Sequence, residues 1–198
     1  MAQEHSFATP APAGLAALAV ACFGFGAVML GKVAVEGLPL LAAWLIGGFV
    51  IQIVVAIVEL KDNDATGGNI FLFFSAFFML TTAISLISKF LMIQFGIHPA
   101  HLVEGWCWMA GAAFVTVATP CYAKSSSLMF VMVLMFNVIL WMIVGMDTGW
   151  YGNPLIMKKI VGWLMVVAGW CAIYMAGAVL CNTVYGKVIL PIPKPLIK

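Results

Sequence analysis

The side chains that could do chemistry in this sequence are few, and most sit inside apolar runs. His98-Pro99-Ala100-His101, followed by Glu104, is the one cluster of histidine and acid. Its first reading is a solvated connection between elements. A pH-sensitive outer gate and a metal site are the sharper alternatives. Gly48, Gln52 and Glu59 recur at a spacing that places them in one narrow sector of a helix, and Ser75, Thr82 and Ser85 share a face of another. Asn137 is the lone strongly polar residue of a further apolar run. Polar groups in such runs cost free energy and tend to face a cavity or a partner. Two readings follow: hydrogen bonds between helices, or a narrow, partly polar pore lined by Gln52, Glu59, Thr82 and Asn137. Glu59 alone also suits a helix-end carboxylate at the water boundary.

A second local signal is Thr9-Pro10-Ala11-Pro12-Ala13-Gly14-Leu15. Thr9 is a good N-cap and Pro10 fits the first helical position. A helix starting there presents unpaired N–H groups and the positive end of its dipole to any arriving anion. The alternative is an ordinary capped helix start at the membrane interface. No lysine lies deep in an apolar run, so an anion would be held weakly, by peptide dipoles and uncharged polar groups, as fast conduction requires.

The elements that must position these residues are set by composition. The chain has 198 residues, 65% of them hydrophobic and 8% charged, and its mean hydropathy is +1.14. Soluble domains carry about 25% charged residues, so these residues cannot cover a water-facing surface. An all-α integral membrane protein is predicted. Six runs approach the roughly 20 apolar residues a spanning helix needs: 14–33, 39–60, 69–88, 103–119, 126–145 and 160–182. Turn chemistry separates them, notably Gly37 to Pro39, Lys61 to Gly68, Pro99, Pro120 and Asp147 to Pro154. A transmembrane domain over 14–182 is expected between a tail at 1–13 and a second tail at 183–198, where Pro191, Pro193 and Pro195 exclude helix. The leading segment, which contains His5, lacks a basic region and reads as no cleavable signal.

Six spans bring both termini to one side, and lysine placement leans that side towards the cytoplasm. Trp106, Trp108, Trp150 and Trp163 cluster near one set of helix ends, as an interfacial belt does. Gly162 and Gly169 mark one face of the last helix, most simply a packing seam and otherwise part of a substrate path. The five cysteines show no metal or disulfide spacing. A net charge of +2 gives no reason to expect nucleic acid. Cofactors and metals are not expected, and no nucleophile–base pair suggests an enzyme.

The opening Thr9–Leu15 stretch resembles the Asn-Pro-Ala-Pro-Leu-Gly-Leu signature of the acetate uptake transporter family, which includes the succinate–acetate permeases. Gly47-Gly48, Gln52-Ile53 and Glu59-Leu60-Lys61 are similar to its second helix. Gly162-Trp163, Ala172 to Ala176, Asn182 and Tyr185 to Pro191 are similar to its last helix and tail. The resemblance implies six helices around a narrow conduit in each protomer, a homo-hexamer in the plasma or inner membrane, and cytoplasmic termini. It implies transport of small monocarboxylates such as acetate, and of succinate in some members, by anion channel or proton-coupled carrier. The family's apolar constriction maps onto Leu18, Met135 and Ser75, or Phe74 if the register slips by one. It also carries roles for Glu59 and Asn182. Two readings from other classes remain: a channel for a small neutral solute such as urea or an undissociated acid, and a non-transporting subunit of a membrane complex.

Overall fold

The computed structural model describes residues 8–197, so His5 falls outside it. Among the described residues six helices are long and apolar enough to cross a membrane. They are α1 (Ala11–Met29), α2 (Leu38–Lys61), α3 (Ala65–Gln94), α4 (Leu102–Ala118), α5 (Ser127–Asp147) and α6 (Pro154–Tyr185). Short 3-10 turns precede α2 and continue α4 through Lys124. The chain is an integral membrane protein of the expected class. Several helices outrun the apolar segments because helices continue through the interfacial layer, where polar residues are tolerated. At 1.5 Å per residue, α6 is about 48 Å long against a hydrocarbon core of about 30 Å.

Local signals set the ends. Asp64 caps α3 by accepting from the Gly67 amide at 2.8 Å, and Ser126 caps α5 by accepting from Met129 at 3.2 Å. Pro154 opens α6, and Gly186 closes it in the left-handed conformation, φ 62°. The start of α1 differs from expectation. Pro10, not Thr9, is the N-cap, and no side chain satisfies the cap geometry. The Thr9 hydroxyl accepts from Ala11 at 3.4 Å instead. Pro12 has no N–H, and Ala13 donates to the Pro10 carbonyl at 3.0 Å. This tight first turn consumes the donors that the sequence suggested would be free.

Small residues set the packing of α1 on α6. A Cβ placed on Gly26 would stand 3.1 Å from the Gly162 carbonyl oxygen, and one on Gly169 would lie 2.9 Å from the Phe23 ring. Gly162 and Gly169 therefore form the seam against α1. Close backbone approach replaces the hydrophobic driving force that lipid does not supply.

α3 is not one regular helix. It is α-helical over Ala65–Phe73, π-wound over Phe74–Thr81 and α-helical again over Thr82–Gln94. The Thr81 and Thr82 hydroxyls donate to the carbonyls of Ala76 and Phe77, each at 3.0 Å and five residues back. These side chains stitch the wider turn on its outer side. π segments cluster at functional sites, and this one begins at Phe74.

After Gly186 the chain folds back. Asn182 accepts from the amides of Ile189 and Leu190 and donates to the Leu190 carbonyl at 2.8 Å. Tyr174 donates to the Pro191 carbonyl at 2.7 Å. Leu196 and Ile197 then donate to the Ala123 carbonyl. The proline-rich tail is non-helical, as expected, and it docks on the turn between α4 and α5.

Candidate functional site

A cavity of about 430 Å³ enters the bundle from the side that carries both termini. Five helices build it, each from its half nearest that side. α1 contributes Ala11, Leu15 and Leu18, and α2 contributes Gln52 and Glu59. The start of α3 contributes Thr66, Gly67, Phe71 and Phe74. The end of α4 and its 3-10 extension contribute Val115, Tyr122 and Lys124. α5 adds Met129, Met132, Val133 and Phe136. At 1.5 Å per residue the deepest of these, Leu18, Phe74 and Phe136, lie about 10–15 Å below the mouth, near the bilayer midplane.

The mouth is polar. Asp64, Cys121 and Lys124 are exposed there. Below them Glu59 is only 6% exposed, and its Oε2 has no hydrogen-bond partner. A Cβ on Gly67 would press on the Glu59 carboxylate, so this glycine makes room for it. Deeper still, Gln52 is fully buried. Its Nε2 donates to the Gly14 carbonyl at 3.4 Å, which leaves Oε1 without a partner. Gly14 is also where α3 approaches: a Cβ on it would meet the Phe71 ring at 2.6 Å. Two buried acceptors thus stand beside a cavity whose lysine is confined to the mouth. Such oxygens demand a donor, either water or a bound molecule.

The floor is aromatic. The rings of Phe74 and Phe136 lie edge to face at 5.7 Å, and Phe78 stands 5.3 Å from Phe74 and 6.3 Å from Phe136. Phe25 packs on Phe78 at 5.3 Å. Phe25, Phe78 and Met79 are buried beneath the floor, with Ile139 and Leu140 beside them. The far half of the bundle is packed.

The structure brings together Ala11, Leu15, Leu18, Gln52, Glu59 and Phe74 from the residues singled out in the sequence. Thr9, Pro10, Pro12, Ala13 and Gly14 stand beside the mouth or behind its wall. Four others do not line the cavity. Ser75 turns to α2 and donates to the Phe49 carbonyl at 3.3 Å, while Phe74 continues the α-helical face of Gly67, Ile70 and Phe71 that lines the cavity. Thr82 is used up on its own helix backbone. Met135 packs beside the core while Met132, Val133 and Phe136 take the cavity face of α5. Asn137 faces α4, accepting from Thr116 at 3.0 Å and donating to Thr119 at 2.6 Å. Of the histidine cluster, His101 faces Glu104 at 3.8 Å. No set of three His, Cys, Asp or Glu side chains able to hold a metal forms among the described residues.

Sequence reasoning missed Phe136, Phe71 and Tyr122. Phenylalanine and tyrosine in an apolar run carry no mark of lining a cavity, so no signal distinguished them. Asp64 was legible only as part of the turn between two apolar runs, not as a wall of the mouth.

Residues 1–194 match the GPR1/FUN34/yaaH family. The chain belongs to that family. Its fold is similar to a solved structure described as the bacterial acetate channel SatP, with a TM-score of 0.79 at 22% identity. The match covers 94% of this chain and 99% of the other. No curated protein matches the chain.

Proposed function

We propose that this protein carries small monocarboxylates, acetate among them, through a conduit within each protomer. One observation carries the reading. A half-membrane cavity with one lysine at its mouth and uncharged or acidic walls below ends on an apolar floor of Leu18, Phe74 and Phe136, in a fold shared with a protein described as an acetate channel. Shedding water at that floor would set the barrier for the solute, and small motions of the rings would open it. With the first-turn N–H groups of α1 already paired, the helix dipole contributes only a weak positive field at the mouth, which holds no anion tightly.

The unpartnered oxygens of Gln52 and Glu59 favour a second reading of the permeant form. An acceptor welcomes the O–H of an undissociated acid and repels a carboxylate. The acid would then cross the floor uncharged, and its proton would travel with it.

The side bearing the termini is read as cytoplasmic, in the plasma or inner membrane. Thr116, which is exposed, and half-buried Asn137 and Trp141 form a hydrogen-bonded cluster on the outer surface of α4 and α5. Lipid is a poor neighbour for such groups, which supports contact with another copy in the homo-hexamer that the family resemblance implies.

The test is uptake of radiolabelled acetate into proteoliposomes, with current recorded in parallel. Saturable uptake above that of empty liposomes is expected. Current identifies the anion, and uptake without current that follows an imposed pH gradient identifies the acid. Assembled protein that passes no carboxylate overturns the proposal and favours a non-transporting subunit.

A further inference from the structure

At the membrane face opposite the cavity, the ends of α3, α4 and α5 meet in a charged cluster that the cavity does not use. Ser85 and Lys89 stand one helical turn apart on α3 and point the same way. The Ser85 hydroxyl donates to Glu104 Oε1, and the Lys89 ammonium donates to Glu104 Oε2. His101 Nδ1 lies 3.8 Å from Oε2. Glu104 occupies the first turn of α4, where the helix dipole favours a carboxylate. Asp147 closes the far side from the end of α5, its Cβ 2.9 Å from the position a Cβ on Gly105 would take. Lys158, on α6, is the remaining charge that acts on Asp147.

We infer that this cluster is a carboxylate-binding site, occupied in the resting protein by the head group of Glu104. The terminal CH2–COO− of a glutamate is acetate with one bond to the chain. A hydroxyl, an ammonium and an imidazole that converge on that group offer a free monocarboxylate the same contacts. Lys89 and Glu104 retain 23% and 26% of their side-chain exposure, so a solute can reach them and the displaced glutamate can reach water. The exchange leaves the charge count around Lys89 unchanged, so the desolvation that makes charge in a membrane costly is not paid a second time. Position supports a role in transport. α3, α4 and α5 supply Phe74, Val115 and Phe136 to the cavity, and the cluster lies about 15–20 Å further along the same three helices, beyond the aromatic floor. It would serve as the mouth on the other side of the membrane, closed by a tethered mimic of the solute. This role rests on the transport reading; the binding site itself does not.

Glu104→Ala removes the mimic and leaves its receptors. Detergent-solubilised Glu104→Ala protein should gain thermal stability as sodium acetate replaces an impermeant organic anion at constant ionic strength. The gain should vanish in Glu104→Ala/Lys89→Met and should be at least fivefold weaker, in half-maximal acetate concentration, in the wild type. Glu104→Gln keeps the shape and the Ser85 contact, and it guards against misfolding: it should unfold as one transition and show a smaller response to acetate. Acetate that stabilises all four proteins alike, or none, overturns the site. Stabilisation confined to Glu104→Ala in a protein that fails to transport acetate supports the site and removes its transport role.

Discussion

The side-chain amide of Gln52, at mid-membrane on α2, is tied to the carbonyl of Gly14 in the second turn of α1, 3.4 Å away. The bond joins the two helices beside the cavity and fixes which way the amide faces. Its length makes it weak, worth about 0.5 kcal/mol, so its main effect is orientation. Gln52→Leu has similar volume and should shift the melting temperature in detergent by only a few degrees. Acetate flux should fall about tenfold, because a fully buried polar group beside the cavity is gone. Full flux in Gln52→Leu liposomes would remove this residue from the path.

Leu18 and Met135 invite a paired experiment. Leu18 lines the cavity, whereas Met135 stands outside it. Leu18→Trp should fill the space above the floor and cut radiolabelled acetate uptake to near background, with oligomer size by gel filtration unchanged. Met135→Ala should leave uptake within about twofold of the wild type. Loss of uptake in both would mean that the conducting state turns α5 by a register step.

Phe74 is the ring that α3 places in the floor. Phe74→Ala removes it and leaves a void, at a cost of about 3–5 kcal/mol by comparison with core truncations. Where the protein still assembles, the floor widens. Carboxylates larger than acetate should gain in relative rate by about an order of magnitude, as competition assays with lactate or succinate would show. An unchanged size preference would place selectivity elsewhere.

The Gly26–Gly162 crossing predicts a stability effect with no direct effect on the path. Gly26→Val would drive carbon into the Gly162 carbonyl and the Val166 side chain. A loss of about 1–3 kcal/mol is expected from overpacking, read as a lower unfolding midpoint. Gly47→Ala serves as the control, since nothing stands within 4 Å of a Cβ there, and it should be neutral or slightly stabilising.

Asn182 makes three hydrogen bonds to the returning tail, worth about 1 kcal/mol each. Asn182→Ala should release residues beyond Gly186, and limited proteolysis should then clip them at least ten times faster. Unchanged proteolysis would show that the Tyr174, Ser127 and Ala123 contacts hold the tail without Asn182.

Much of this was readable before any coordinates. Six apolar runs separated by turn residues allow few other folds, and the Gly48, Gln52 and Glu59 spacing correctly marks the inward face of α2, where all three are buried. The seam at Gly162 and Gly169 was legible for the same reason: glycine in a spanning helix has few uses other than close approach. Some of the readings that failed carried a register argument across a local irregularity. Projection at 3.6 residues per turn grouped Ser75, Thr82 and Ser85, but the π segment from Phe74 to Thr81 breaks that projection and scatters them among α2, their own backbone and Glu104. At the start of α1 the cap was read at Thr9, and the helix begins one residue later, with Pro10 as N-cap and Pro12 in the first turn. Asn137 was rightly seen as a polar group in need of partners; its choice of Thr116 and Thr119 depends on how α4 sits beside α5, which one strand of sequence does not encode.

The one-sided cavity also shapes the electric field. The cavity opens towards the side of the termini and ends at the floor; filled with solvent, it would short-circuit that half of the membrane. The voltage drop of about 2.3 kcal/mol per elementary charge per 100 mV then falls across the packed half, over the layer around Phe25 and Phe78. A charged solute would feel almost no voltage while it climbs to the floor and nearly all of it in the next few ångströms.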